Sequence, residues 1–413
     1  MLDIKFVREN TEKVKEAITA KKAKVDLVKL FALDEEKRAV TTQLEQLRAQ
    51  ANLSSKAKPN DQSMIVQLKQ LKTQIKKLDQ QKAKLEAVFS ELMYQVPNVL
   101  LDDVPRGADE SANKILRQHG AVPKFDFAPR DHMQLGEALD IIDIPSAARI
   151  TGTRFAYLKG QAVLLQFALI QFTLDFLTDR KKVASVAEKI EKGFSSNPFI
   201  PVLPPVMIRP EIFSKMGRLT EQDKEERYYL PKDDLYLIGS AEHTLGPLHL
   251  DSTFEESQLP VRYLGFSTSF RREAGSYGRD TRGILRVHQF DKLEMESFCL
   301  AENSVKEQEF IIALQERMMQ ELELPYQVVL MCAGETSMPD SRQIDIETWM
   351  PGQGKYRETH TSDLMTDFQA RRLNTKVRRK SGRSEFVHMN DATAFAIGRS
   401  IIAILENYQQ KDG

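Results

Sequence analysis

The 413-residue chain reads as an α+β protein in two parts, an antiparallel helical coiled-coil arm and a mixed domain built on an antiparallel sheet flanked by helices. Three observations predict this. A heptad rhythm runs from Leu30 to Leu92, a Pro-, Gly- and Asp-rich connector PNVLLDDVPRGADES follows at 97–111, and short strand-like runs with few intervening helices fill the rest. One hydrophobic core rarely serves so long a chain, so domains are expected at 1–110 and 111–413.

In the first part Leu68, Leu71, Ile75, Leu78, Leu85, Phe89 and Leu92 alternate spacings of three and four, with Lys82 in the one gap. Leu30, Leu33, Val40, Leu44 and Leu47 keep the same rhythm with Lys37 in the gap. The segment NLSSKAKPNDQS (52–63) carries turn residues, so the two helices should fold back on each other. Lys56, Lys58, Lys69, Lys72, Lys76, Lys77, Lys82 and Lys84 give the outer half a cationic stripe, suited to a phosphate backbone or simply to solvent.

In the second part a helix is expected from Gln161 to Lys192, strands in FIPVLPPVMI, LPVRYLGFSTSFRREAG, GILRVHQFDKLEMESFCL, YQVVLMCAG and SRQIDIETWM, and a last helix in ATAFAIGRSIIAILENYQQ. Lys plus Arg equals Asp plus Glu at 59 each, so a nucleic-acid partner must be met by local patches. Two cysteines supply neither a disulfide framework nor a Cys-rich zinc site. The start MLDIKFVREN lacks a signal-peptide core, and runs such as AVLLQFALI fall short of the roughly 20 residues of a membrane span. A soluble cytoplasmic protein with no membrane role is expected.

Neither a GxxxxGK[ST] loop nor GxGxxG is present, so arginine must hold any phosphate. FRREAGSYGRDTRGILRVHQF (270–290) offers five arginines and a histidine, on a strand running to Glu273 and a return strand Ile284–Phe290. Alternation puts Arg271 with Glu273, and Arg286 with His288 and Phe290. Together they suit ATP: guanidinium for phosphate, carboxylate for the adenine amino group, ring for stacking. A surface hairpin on a phosphate backbone is the plainer alternative.

That segment resembles motif 2 of class II aminoacyl-tRNA synthetases, and of the seryl-tRNA synthetases in particular. The likeness extends to PNVLLDDVPRGADES, TGTRFAYLKG, SAE (240–242), VHQFDKLEM, YRETHTSDLMTDFQARR and FAIGRSIIAILENYQ. The resemblance implies serine ligation to tRNA(Ser), and to tRNA(Sec) where present, through a seryl-adenylate. Arg271, Glu273 and Arg399 would be catalytic. ATP would meet Arg271, Arg272, Glu273, Arg286, Val287, His288, Phe290, Glu358, Thr359, His360, Thr361 and Arg399, with Mg2+ on Glu358. L-serine would meet Ser240, Ala241, Glu242, Arg271, Glu294 and Thr393. Lys56, Lys58, Lys69, Lys72, Lys76 and Lys77 would contact tRNA, and FIPVLPPVMI resembles the motif 1 region of a homodimer.

Two loops depart from the family pattern. THTSDLM (359–365) stands where ISSCSNC is common, and FVHMNDATA (386–394) where YVHTLNGSG is common. Both line the amino-acid end in the family. His360 and His388 lie in them without partners at metal-ligand spacing, so they are expected as polar lining and no zinc is expected. Rival readings are a non-catalytic tRNA-binding module and an enzyme that activates amino acids for a carrier protein.

Overall fold

The computed structural model describes residues 1–56, 62–274 and 283–413, apart from the side chains of Lys56, Gln62 and Gln222. Lys58 and the glycine- and arginine-rich loop 275–282 lie outside the described residues. The chain divides into two compact units, Met1–Pro97 and Asn98–Gly413. The division precedes the expected residue 110 because the connector belongs to the second unit. There the buried Asn98 amide donates to the Pro339 and Met365 carbonyls, both at 2.8 Å.

The first unit holds α1 (Ile4–Glu9), α2 (Thr11–Ala20), α3 (Leu27–Lys56) and α4 (Gln62–Gln95). Arg48 pairs with Asp79 at 2.8 Å and Gln81 reaches Glu36 at 3.3 Å, so α3 and α4 run antiparallel. Every apolar heptad position named above is buried or half-buried, while Lys69, Lys72, Lys76, Lys77 and Lys84 are exposed. The two gap lysines are accommodated: Lys37 Nζ lies 3.7 Å from the Phe89 ring centroid, and Lys82 pairs with Glu86 at 3.7 Å.

The second unit is organised by eight strands: β1 (Lys114–His119), β2 (Ile200–Val202), β3 (Val261–Phe270), β4 (Gln289–Cys299), β5 (Tyr326–Leu330), β6 (Arg342–Met350), β7 (Lys355–Thr366) and β8 (His388–Ala396). Their order is β1-β5-β6-β7-β8-β4-β3-β2, antiparallel throughout except that β2 lies parallel to β3. One face packs on α5 (Gln161–Thr178), α6 (Arg180–Ile190), α8 (Ser304–Glu321) and α9 (Ile397–Tyr408) through a core that includes Leu169, Phe176, Leu293, Phe310, Ile346 and Phe395. By length and composition α5 could cross a membrane, yet Leu169, Phe176 and Leu177 are buried in this core.

Three expected elements end elsewhere. The helix expected to Lys192 breaks at Asp179, whose carboxylate accepts from the Lys181 and Lys182 amides and caps α6. The last helix starts at Ile397, because residues 392–396 extend β8. The return strand starts at Gln289 rather than Ile284, and Glu273 has φ of 53°, so strand alternation does not govern Arg271, Glu273, Arg286 or His288.

Between sheet and helices Arg262 is fully buried. Its guanidinium donates to Glu307 at 2.6 and 2.9 Å and to the Ser195 and Asn197 carbonyls, with Phe310 stacked at 4.3 Å. Removing one partner strands a buried charge. Arg262→Met should therefore lower unfolding stability by about 3–5 kcal/mol, read from denaturant midpoints at unchanged slope.

Candidate active site

The sheet face away from α8 carries the chemistry, and two bulges decide which residues reach it. In β7 the pairing passes from Ile346↔His360 to Glu347↔Glu358, making Thr359 the extra residue. In β8 it passes from Leu293↔Phe395 to Glu294↔Thr393, making Ala394 the extra residue. Each bulge shifts the alternation by one. As a result Glu358, Thr361 and Asp363 share a face, with Asp391 and Thr393 beside them and Lys292, Glu294 and Glu296 on β4.

The shift turns the side chains of two residues expected near ATP away from that face. Thr359 Oγ1 lies 2.7 Å from Thr348 Oγ1, and the buried His360 packs edge-on to Phe395 at 5.0 Å, which itself packs against Phe172 of α5. His360 is core, not pocket lining. Burial lowers its imidazole pKa to about 3. His388 likewise sits away from the cluster, its Nδ1 3.0 Å from Ser304 Oγ.

The remaining expected residues largely converge. Ser240 Oγ donates to Glu294 Oε2 at 2.9 Å, and Lys292 Nζ reaches Ser240 at 3.2 Å and also pairs with Glu294. Ser240 and the buried Ala241 precede the short α7 (Glu242–Leu245), which crosses β3 at Gly265. A Cβ there would lie 2.5 Å from Leu245, so the close crossing requires glycine. Carboxylate oxygens of Glu242, Glu294 and Asp391 lie within 4.8 Å of one another.

Arg271 Nε donates to the Gly239 carbonyl at 3.1 Å, and its guanidinium stands 5.3 Å from the Phe290 ring. Arg286 Nη1 is 3.4 Å from Glu273 Oε2, and Arg399 Nη1 is 2.9 Å from Glu358 Oε1. Partial desolvation would raise the Glu358 carboxyl, but Arg399, Arg271, Lys292 and Arg286 together hold it below the usual range. One carboxylate thus senses four cations. His288 Nδ1 sits 2.9 Å from the Arg271 carbonyl, a backbone clasp, while Val287 packs on the core and the exposed Arg272 lies over Tyr228 at 5.6 Å.

Sequence reasoning missed four members. Arg218, Asp363, Asp391 and Glu296 are all buried here, and Arg218 lies 3.2 Å from Glu242, Asp363 and Asp391. The polar–apolar alternation of Lys292-Leu293-Glu294-Met295-Glu296 was the legible signal for Glu296. Asp363 and Asp391 stand in the two divergent loops. Burial would raise Glu242, yet Arg218, His243 and Lys292 hold it well below the usual range. Burial pushes Glu294, Glu296, Asp363 and Asp391 up instead.

Comparison with known proteins follows the same lines. Residues 1–100 match the seryl-tRNA synthetase N-terminal domain, and 225–408 match the tRNA synthetase class II core domain (G, H, P, S and T). The serine–tRNA ligase of Dictyoglomus turgidum is 39% identical over 100% of this chain and 95% of its own length. The chain belongs to the seryl-tRNA synthetase family. The Pyrococcus horikoshii seryl-tRNA synthetase solved with ATP superposes with a TM-score of 0.87 at 34% identity, covering 100% of this chain and 95% of the other. The cytoplasmic serine–tRNA ligase of Naegleria fowleri solved with AMP gives 0.85 at 30% identity, covering 100% and 94%.

Glu296 yields a test. Both its oxygens are buried without a hydrogen-bond partner among the described residues, and burial with Glu242 and Glu294 nearby lifts its carboxyl well above the usual range. Above the unfolded glutamate value of about 4.3 the folded protein then binds the extra proton, so stability falls as pH rises. Glu296→Gln should gain on the wild type between pH 5 and 8, by about 1 kcal/mol per pH unit until the folded group titrates. A pH-independent difference in thermal midpoint would contradict this.

Proposed function

We infer that this chain is an ATP-dependent serine–tRNA ligase, working through a seryl-adenylate. The observation that carries the reading is the pairing of Arg399 with Glu358 at 2.9 Å, with Arg271 and Arg286 near enough to help hold that carboxyl down, beside the Glu242–Glu294–Asp391 group. Cations that suit a triphosphate border acids that suit an ammonium.

In this reading the serine ammonium meets Glu242 and its hydroxyl meets Glu294 and Thr393. A hydroxyl-reading site rejects analogues that leave its buried polar groups unpaired. The serine carboxylate attacks the ATP α-phosphorus in line and pyrophosphate leaves. Arg271 neutralises charge developing on the α-phosphate, while Arg286 and Arg399 hold the far phosphates; no protein nucleophile is needed. Phe290 and Arg399 flank the adenine, and Glu273 accepts from its amino group. The half-exposed Glu358 faces Glu347 across the β6–β7 pair, and these hard oxygen donors fit Mg2+, which would offset phosphate charge when bound. The terminal adenosine hydroxyl of tRNA(Ser) then attacks the adenylate carbonyl, losing its proton as the acyl–phosphate bond breaks and AMP leaves.

The exposed lysines Lys69, Lys72, Lys76 and Lys77 would track the tRNA backbone. A homodimer is supported by exposed Leu164 and Phe167 on α5 and by Ile200 and Leu203 at the open β2 edge, an apolar set that water disfavours.

Amino-acid-dependent pyrophosphate exchange tests the reading. Exchange should require serine over threonine, glycine and alanine, and Arg271→Ala should lower kcat/KM by about 10³-fold or more. Reversing the four exposed lysines to glutamate should spare exchange and abolish tRNA charging. Exchange driven equally by other amino acids would reject serine as the substrate.

A further inference from the structure

Arg218 is buried to 8% exposure, and its guanidinium serves acids from four separate segments. Nε lies 3.2 Å from Glu242 Oε1, and Nη2 lies 3.3 Å from Asp340, 3.2 Å from Asp363 and 3.2 Å from Asp391. These come from α7, the turn before β6, β7 and β8. Lys292 pairs with Glu294 and also reaches Ser240 at 3.2 Å. Buried like charges at such separations repel strongly, so Arg218 and Lys292 would leave Glu242, Glu294, Glu296, Asp363 and Asp391 short of positive charge if all were ionised. Among the described residues both oxygens of Glu296 and Oδ1 of Asp363 have no hydrogen-bond partner, which expresses the same shortage.

We propose that Arg218 is the positioning residue of the amino-acid end: it fastens Glu242, Asp363 and Asp391 into a cage whose remaining place for a cation is taken by the substrate's α-ammonium. This rests on the serine-ligase reading above. Asp363 and Asp391 stand opposite each other on the neighbouring strands β7 and β8, and Arg218 pairs with both. Acids added to the pocket wall need an internal guanidinium, and the guanidinium in turn fixes Glu242, the member that stays ionised. Arginine suits this because its fork reaches several carboxylates at once, whereas a lysine reaches one or two. The cage then selects a primary ammonium by charge and leaves the hydroxyl to Ser240's neighbour Glu294.

The test measures KM for serine and for ATP separately, in exchange assays on the full chain. Arg218→Met should raise the serine KM by about tenfold or more with the ATP KM within about twofold, because ATP meets other residues. Adding Asp363→Asn, which removes one of the stranded acids, should recover part of the rise in serine KM; a merely structural arginine would show its loss in kcat and in the thermal midpoint, with no selective change in serine KM to recover. If Arg218→Met does not fold, Arg218→Lys carries the test, with the same selective rise in serine KM expected. An unchanged or lowered serine KM, or equal rises for serine and ATP without rescue, overturns the proposal. A wild-type chain lacking serine-dependent exchange would instead reject the ligase reading itself, and the proposal with it.

Discussion

A carboxylate taken out of water must find a cation or keep its proton, and that constraint shapes the working face of the sheet. Glu242, Glu294 and Asp391 bring oxygens within 4.8 Å of one another, a separation tolerable only because Arg218 and Lys292 are interleaved. Farther along the same face the balance reverses: Arg399 pairs with Glu358, and Arg271 and Arg286 add to the positive charge that holds its carboxyl down. One end of the face is therefore short of positive charge and the other short of negative charge. A zwitterionic amino acid beside a triphosphate corrects both shortages at once.

The sheet can present this set because its strands are not regular. Extra residues at Thr359 and Ala394 re-aim the segments that follow them, so the polar residues of β7 and β8 face the pocket while Phe395 and His360 enter the helix-covered core. The opposite face has its own buried pair in Arg262 and Glu307, which joins β3 to α8. Rigid strands and short supported loops thus hold most of the charged groups, which is what electrostatic preorganisation requires.

Much of this was legible in the residues. The heptad spacing marked the arm down to its two lysine-filled gaps, since a period of 3.5 needs no tertiary information. The α+β class, the arginine segment and the acids at 242 and 294 followed from local pattern and family likeness. What sequence could not give was face assignment beyond a bulge: family likeness puts Thr359 and His360 at ATP but does not reveal that an inserted residue turns their side chains from the pocket face. Nor could it assemble Arg218 with Asp363 and Asp391: the two acids meet because β7 and β8 are neighbours, and Arg218 reaches them from a segment outside the sheet. Asp179 shows the same limit at short range, where a good capping residue inside an apolar helix pattern split it in two.

The account depends most on the two oppositely charged ends being one binding site. A crystal structure with a non-hydrolysable seryl-adenylate analogue measures this directly. The ammonium should lie within hydrogen-bond reach of Glu242, the hydroxyl near Glu294, the phosphate linkage on Arg271 and the adenine between Phe290 and Arg399. An analogue bound elsewhere, or bound with its ammonium turned away from Glu242 and the Arg218 cage, would contradict the account.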